Sequence, residues 1–175
     1  TLERVYDFDP EAFSQVIEIA QRSAPLLVLD VPHIWSGWTK NTLIKADEIV
    51  ITATPELANL RNTKNMVDML KRLRPNDPPP KLILNQVGVP KRPEIAASDF
   101  AEPLGITPMA VINFEPLLFG NAANNGRMLS EMDAKSPVVG TINEIAHVLT
   151  GRSEIKAKKK AGLGSILGKL SRNKK

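Results

Sequence analysis

The sequence predicts an α/β fold, a parallel sheet with helices on both faces, on three observations. Residues 26–29 read Leu-Leu-Val-Leu and residues 49–51 read Ile-Val-Ile, apolar runs of the kind that a strand buried on both faces requires. Segments with apolar residues at helical spacing alternate with such runs, and strand alternating with helix at these intervals builds a parallel sheet. The first run stops abruptly at Asp30. An acid at the carboxyl end of a buried strand stands where open α/β sheets gather their ligands.

In chain order, Asp9-Pro10 supplies a helix cap followed by a proline at the first helical position. Phe13, Val16, Ile17 and Ala20 continue at helical spacing until Pro25. Residues 26–29 are the first predicted strand. Residues 38–45 are a short helix with Leu43 and Ile44 turned inward. Residues 48–53 form a second buried strand, rich in β-branched side chains. Thr54-Pro55-Glu56 opens the next helix with a capping hydroxyl, a proline and an acid at the positive end of the helix dipole. Its apolar stripe is Leu57, Leu60, Val67, Leu70 and Leu73, with Arg61, Lys64, Asp68 and Lys71 on other faces. Pro75 and the triple proline 78–80 make a rigid surface loop. Strands are then expected over 81–85 and 109–112, and helices over 93–102, 117–125 and 137–149.

A chain of 175 residues, 42% hydrophobic and 24% charged, has the make-up of one soluble globular domain. The absence of cysteine excludes disulfides and thiolate metal clusters and fits a cytoplasmic protein. No apolar stretch approaches the roughly 18 residues of a membrane span, and residues 1–4 carry no signal-peptide pattern. Charge divides the chain. After Gly151, nine Lys and Arg residues face a single Glu154, and the tail's net +8 against the chain's +4 leaves residues 1–151 at −4. The expected organisation is therefore a mildly acidic body over 1–151 and a basic tail over 152–175 that meets something anionic.

Residue by residue, the chemical signals are sparse. Asp30 has two readings, a ligand-side acid at the switch point of the sheet or a turn residue bonded to nearby backbone N–H groups. Asn85, at the end of a predicted strand, has the same pair of readings. His33 and His147 pair with no cysteine or closely spaced acid, so no metal-ligand cluster and no nucleophile–base constellation is legible. Trp35 and Trp38 serve either to pack the short helix or to anchor a partner, with core packing expected for one of them. A phosphate loop of the Gly-x-x-x-x-Gly-Lys-[Ser/Thr] kind belongs before an acid like Asp30, yet no glycine occurs among the first 25 residues. Residues 162–169 imitate such a loop, but their glycines are wrongly spaced and Leu170 replaces the hydroxyl.

A series of stretches then carries a resemblance. They are 26–32 with Asp30, Val31 and Pro32, Ala46-Asp47-Glu48-Ile49-Val50, Ala53-Thr54-Pro55-Glu56-Leu57, and Leu82-Ile83-Leu84-Asn85-Gln86. Gly105-Ile106, Asn113-Phe114-Glu115-Pro116, 119–126 ending Asn-Asn-Gly, and Ser136-Pro137 follow. In their order and spacing these resemble the MinD/ParA family of deviant P-loop ATPases, and within it the CpaE/TadZ proteins of pilus assembly. The resemblance implies part of a MinD/ParA-like P-loop NTPase domain that binds ATP and Mg²⁺, forms a homodimer around nucleotide, and positions pilus or secretion machinery. It implies that Asp30 places Mg²⁺, through water, with Val31 and Pro32 entering the second switch. It implies that Asn85 contacts adenine and that Asn113, Glu115 and Pro116 close over the base. The phosphate loop and first switch of the family are absent, so the stretch is expected to be the C-terminal portion of such a domain, holding no catalytic residue and not hydrolysing ATP by itself. Two other readings stay open, a non-enzymatic polar scaffold and a chromosome or plasmid partitioning ATPase. The acidic body speaks against nucleic acid, whose affinity comes chiefly from phosphate neutralisation.

In the tail, Leu163, Ile166, Leu167 and Leu170 fall on one helical face within a basic frame. Such a face suits an anionic membrane surface or a partner, as C-terminal helices do in several members of the resembled family, and implies a cytoplasmic protein peripheral to the inner membrane or at a cell pole. Gly162, Gly164 and Gly168 oppose it, each costing a helix about 1 kcal/mol relative to alanine. A disordered basic tail and nonspecific nucleic-acid contact are the alternatives.

Overall fold

The structure, a computed structural model, describes residues 9–32 and 34–151. Its elements are α1 (Pro10–Ser23), α2 (Gly37–Lys45), β1 (Val50–Ala53), α3 (Leu57–Leu73), β2 (Lys81–Val87), α4 (Ala97–Ala101) with a 3₁₀ turn over Glu102–Leu104, β3 (Pro108–Asn113), α5 (Pro116–Asn124), α6 (Leu129–Met132) and α7 (Pro137–Leu149). The strands form one sheet in the order β1-β2-β3, both pairs parallel. Val50 stands opposite Lys81, Ala53 opposite Leu84, and Ile83 opposite Ala110. Parallel neighbours need crossover connections, and α3 and α4 supply them.

The central strand β2 is buried on both faces. Leu82 and Leu84 point to one face and join Ala53, Val67 of α3, Phe100 of α4, Leu104 and Ile106 in the main core. Ile83 points to the other and is also buried. Helix α7 packs on β3 and buries Val138 and Val139. Local chemistry sets the helix ends. Asp9 caps α1 by accepting from the N–H groups of Glu11 and Ala12 at 2.8 and 3.2 Å, with Pro10 behind it as expected. Ser36 and Ser136 cap α2 and α7 in the same way. Helix α5 ends in a Schellman arrangement, Arg127 N–H to Ala122 C=O and Gly126 N–H to Ala123 C=O, with Gly126 at φ +59°. The α1–α2 pair is held by Phe13 against Trp38, ring centroids 5.0 Å apart, although α1 buries no residue fully. Trp38 is thus the packing tryptophan.

Several expectations are corrected. Residues 26–29 form no strand, and Leu26 and Val28 are 53% and 81% exposed. The segment runs without a ladder partner, with Leu27, Leu29 and Val31 half-buried between exposed neighbours. An apolar run becomes a strand only when another backbone satisfies its N–H and C=O groups. The strand expected over 48–53 begins at Val50, which is 36% exposed because β1 is an edge. Helix α3 starts at Leu57, not at Pro55, with Glu56 in the cap position and no side-chain cap bond. The Thr54 hydroxyl instead accepts from Asn59 Nδ2 at 2.7 Å. Leu57 lies off the apolar stripe, and Ile44 faces outward while Leu43 is half-buried. The helix expected over 93–102 shortens to Ala97–Ala101 because residues 88–95 are held by side chains described below, and the short α6 was not anticipated. His33 and the whole tail, including Leu163, Ile166, Leu167 and Leu170, lie outside the described residues.

Because Phe100 is fully enclosed by the main core, Phe100→Ala is expected to lower stability by about 3–5 kcal/mol in urea unfolding. Leu57→Ala, at a position 74% exposed, is expected to stay within about 0.5 kcal/mol of the wild type.

Candidate functional site

Parallel strands deliver their following loops to one edge of a sheet, and the chemistry-bearing residues collect there. β1 runs into Thr54, buried Pro55 and Glu56; β2 runs into Asn85 and Gln86; β3 ends at Asn113 and leads through Phe114 and Glu115 to Pro116, the first residue of α5. Two backbone bonds tie the loops together. Phe114 N–H reaches Val87 C=O and Ile95 N–H reaches Pro55 C=O, each at 2.8 Å.

The end of β2 is irregular. Between the pairs Leu84–Val111 and Val87–Asn113, β2 spends one residue more than β3, a bulge of the kind that re-aims side chains beside functional sites. Gln86 takes φ +55° there, an uncommon conformation for a residue with a Cβ. Its N–H is held by Asn85 Oδ1 at 2.9 Å. Gly88 follows at φ +85°, a backbone that side chains rarely tolerate.

A charged cluster closes this loop. The Glu94 carboxylate accepts from Gly88 N–H at 3.0 Å, from Val89 N–H at 3.1 Å and from Arg92 Nη2 at 2.9 Å. Arg92 Nη2 also donates to the Gln86 carbonyl, and Nη1 lies 3.1 Å from Glu56. The Arg92 side chain is only 17% exposed. The Gly88 N–H above all, with Arg92 and the Val89 N–H, holds the Glu94 carboxyl below its usual range against the opposing effect of burial.

Of the residues singled out in the sequence, Asn85, Asn113, Glu115 and Pro116 come together at this edge. Asn85 is half-buried, and the other three are exposed. Asp30 and Pro32 are exposed on the unpaired stretch and are not carried to the edge by any strand. Trp35 lines an open groove with Asn62, Met66 and Met69 of α3. Glu56, Gln86, Arg92 and Glu94 were missed as a cluster. The glycine at 88, directly after a β-prone run, was the available signal, but Arg92 and Glu94 take meaning only from a folded loop. Among the described residues no group of three or more His, Cys, Asp or Glu side chains could hold a metal ion, and no helix is long and apolar enough to cross a membrane. A Mg²⁺ held by one carboxylate, phosphates and water requires no such group.

No protein-family model matches the chain, and no curated protein matches it in sequence. Solved structures do match. A ParA family ATPase from Chlorobium tepidum TLS superposes with a TM-score of 0.72 at 22% identity, over 83% of this chain and 60% of that one. The MinC:MinD cell division protein complex of Aquifex aeolicus gives 0.71 at 23% identity, over 87% and 63%. The cell division ATPase MinD of Pyrococcus furiosus gives 0.69 at 17% identity, over 83% and 60%. The fold is that of part of a MinD/ParA-type ATPase domain. This chain spans 60–63% of the length of these neighbours.

The Glu94 cluster generates a pH dependence. A carboxyl depressed below its ordinary value of 4.5 contributes stability that is complete above about pH 4.5 and is lost as pH falls through the lower folded value. Glu94→Gln is expected to be less stable than the wild type at neutral pH and to lose less on acidification, measured by urea midpoints between about pH 7 and 3. Asp68, depressed chiefly by its hydrogen bond from Lys64, titrates alike in both proteins and cancels in the difference.

Proposed function

We propose that this chain is the base-binding portion of a nucleotide-switched localisation ATPase of the MinD/ParA type, serving assembly of a pilus or secretion apparatus as the CpaE/TadZ proteins do. The observation that carries the reading is the convergence of Asn85 with Asn113, Glu115 and Pro116 at the carboxyl edge of a parallel sheet with that fold. The donor set fits adenine. Asn85 Oδ1 is engaged by Gln86 N–H but keeps a second lone pair for an exocyclic amine, and Nδ2 offers donors to a ring nitrogen. The exposed Asn113 adds a second carboxamide, and Pro116 at the head of α5 supplies a rigid apolar wall.

ATP with Mg²⁺ would supply the switch. Asn85 and the 113–116 loop would hold its base, and Asp30, an exposed hard oxygen donor, would help place the metal through water. Phosphate charge is met by lysines in the part of such a domain that this chain does not span. Nucleotide state then controls homodimerisation and partner binding. The basic tail, through Leu163, Ile166, Leu167 and Leu170, contacts the anionic inner-membrane surface, each nearby cation contributing about 1 kcal/mol.

The test is titration of the chain, extended upstream in its natural sequence, with Mg-ATP and with adenosine. Asn85→Ala is expected to weaken both about tenfold, the effect of a lost hydrogen bond in a desolvated site. Asp30→Ala is expected to weaken Mg-ATP and leave adenosine unchanged. Absence of binding in the wild type moves the reading to a nucleotide-independent scaffold. Vesicle co-sedimentation tests the tail: Leu167→Glu is expected to release the protein from anionic vesicles, and undiminished binding refutes insertion.

A further inference from the structure

We infer that Arg92 is a positioning residue for the base, and that it sets the preference for adenine by fixing the backbone of Gln86 and with it the carboxamide of Asn85. The inference rests on the base-site reading of Asn85.

Its basis is a chain of contacts, each with its own geometry. Asn85 and Gln86 share the β2 bulge, and Gln86 holds a positive φ of 55° without the freedom of glycine. A non-glycine residue in that region costs about 1–3 kcal/mol and persists only where its surroundings over-determine it. The surroundings here are two bonds, one on each side of the residue. Asn85 Oδ1 accepts from the Gln86 N–H at 2.9 Å, and Arg92 Nη2 donates to the Gln86 C=O. The first bond fixes the direction of the Asn85 carboxamide, because Oδ1 facing its own backbone turns Nδ2 away from it. Rotation of the 85–86 peptide withdraws that N–H donor and frees Asn85 to turn. The second bond, on the carbonyl of the next peptide, holds the Gln86 backbone in the conformation that presents the N–H to Asn85.

Arg92 is itself anchored. Glu94 holds it from the same loop and Glu56 from the head of α3, so one guanidinium joins the loop after β2 to the loop after β1. Glu94 in turn is pinned by the N–H groups of Gly88 and Val89, which lie within the same loop. The planar fork is what the site uses: Nη1 serves Glu56 while Nη2 serves both Gln86 and Glu94. A lysine ammonium is a point charge without that fork and does not reproduce the arrangement.

Adenine and guanine differ in the donor and acceptor at their six-position, so a carboxamide held in one orientation discriminates between them and a freely turning one does not. A structural role alone predicts equal losses for both bases. A positioning role predicts a loss of preference.

The experiment is an NMR titration of the ¹⁵N-labelled chain, extended upstream in its natural sequence, with adenosine and with guanosine, in wild type, Asn85→Ala, Arg92→Ala and Arg92→Lys. The expected result is that both Arg92 variants weaken adenosine about tenfold and guanosine far less, so that the adenosine/guanosine ratio approaches that of Asn85→Ala. The Gln86 and Gly88 amide resonances are expected to shift and exchange faster in both. If Arg92→Ala does not fold, Arg92→Lys decides alone. An adenine preference kept in Arg92→Lys while Asn85→Ala abolishes it overturns the positioning role and leaves the base site standing. Absence of adenosine binding in the wild type, or binding unaffected by Asn85→Ala, overturns the base site and this inference with it.

Discussion

The burial of β2 on both faces is the constraint from which the rest follows. Leu82, Ile83 and Leu84 are 1%, 8% and 0% exposed in succession, which demands cover above and below as well as a strand on each side. α3, α4 and the 3₁₀ turn meet the first face through Val67, Phe100 and Leu104. Because helices must be threaded between the strands to provide that cover, the strands run parallel, and because they run parallel, every strand hands its next loop to the same edge. The meeting of Asn85 with the 113–116 loop is thus a consequence of how the core is closed.

At that edge a second principle takes over. The Glu56–Arg92–Glu94 group, with the Arg92 side chain only 17% exposed, ties two loops to one another. It joins the loops after β1 and β2, and its donors reach a backbone carbonyl in an uncommon conformation. The second tie, Ile95 N–H to Pro55 C=O, runs between the same two loops. Together they make a shaped rim from segments that carry no regular structure of their own.

The parts of the fold readable from the chain were those set by neighbours in sequence. Asp9-Pro10 announced its helix because a cap needs only the next turn of backbone. The apolar runs at 82–84 and 109–112 announced their strands, and both lie where expected. The run at 26–29 was as apolar, yet it stays unpaired, since a ladder partner is a property of the whole sheet. Thr54 shows the same limit on a smaller scale: its hydroxyl could cap a helix, but the folded turn gives it Asn59 instead.

The candidate site divides along the same line. The sequence by itself determined the α/β class, the split into acidic body and basic tail, and the residue types at each strand end, because periodicity, charge and turn chemistry are local. Only the tertiary structure decided that Asn85 and Asn113 share one edge, that Trp38 and not Trp35 packs against Phe13, and that Arg92 grips Gln86, Glu56 and Glu94 at once. Glu56 and Arg92 are 36 positions apart in the chain. No local pattern encodes their contact; it exists because a parallel sheet brings the ends of β1 and β2 side by side.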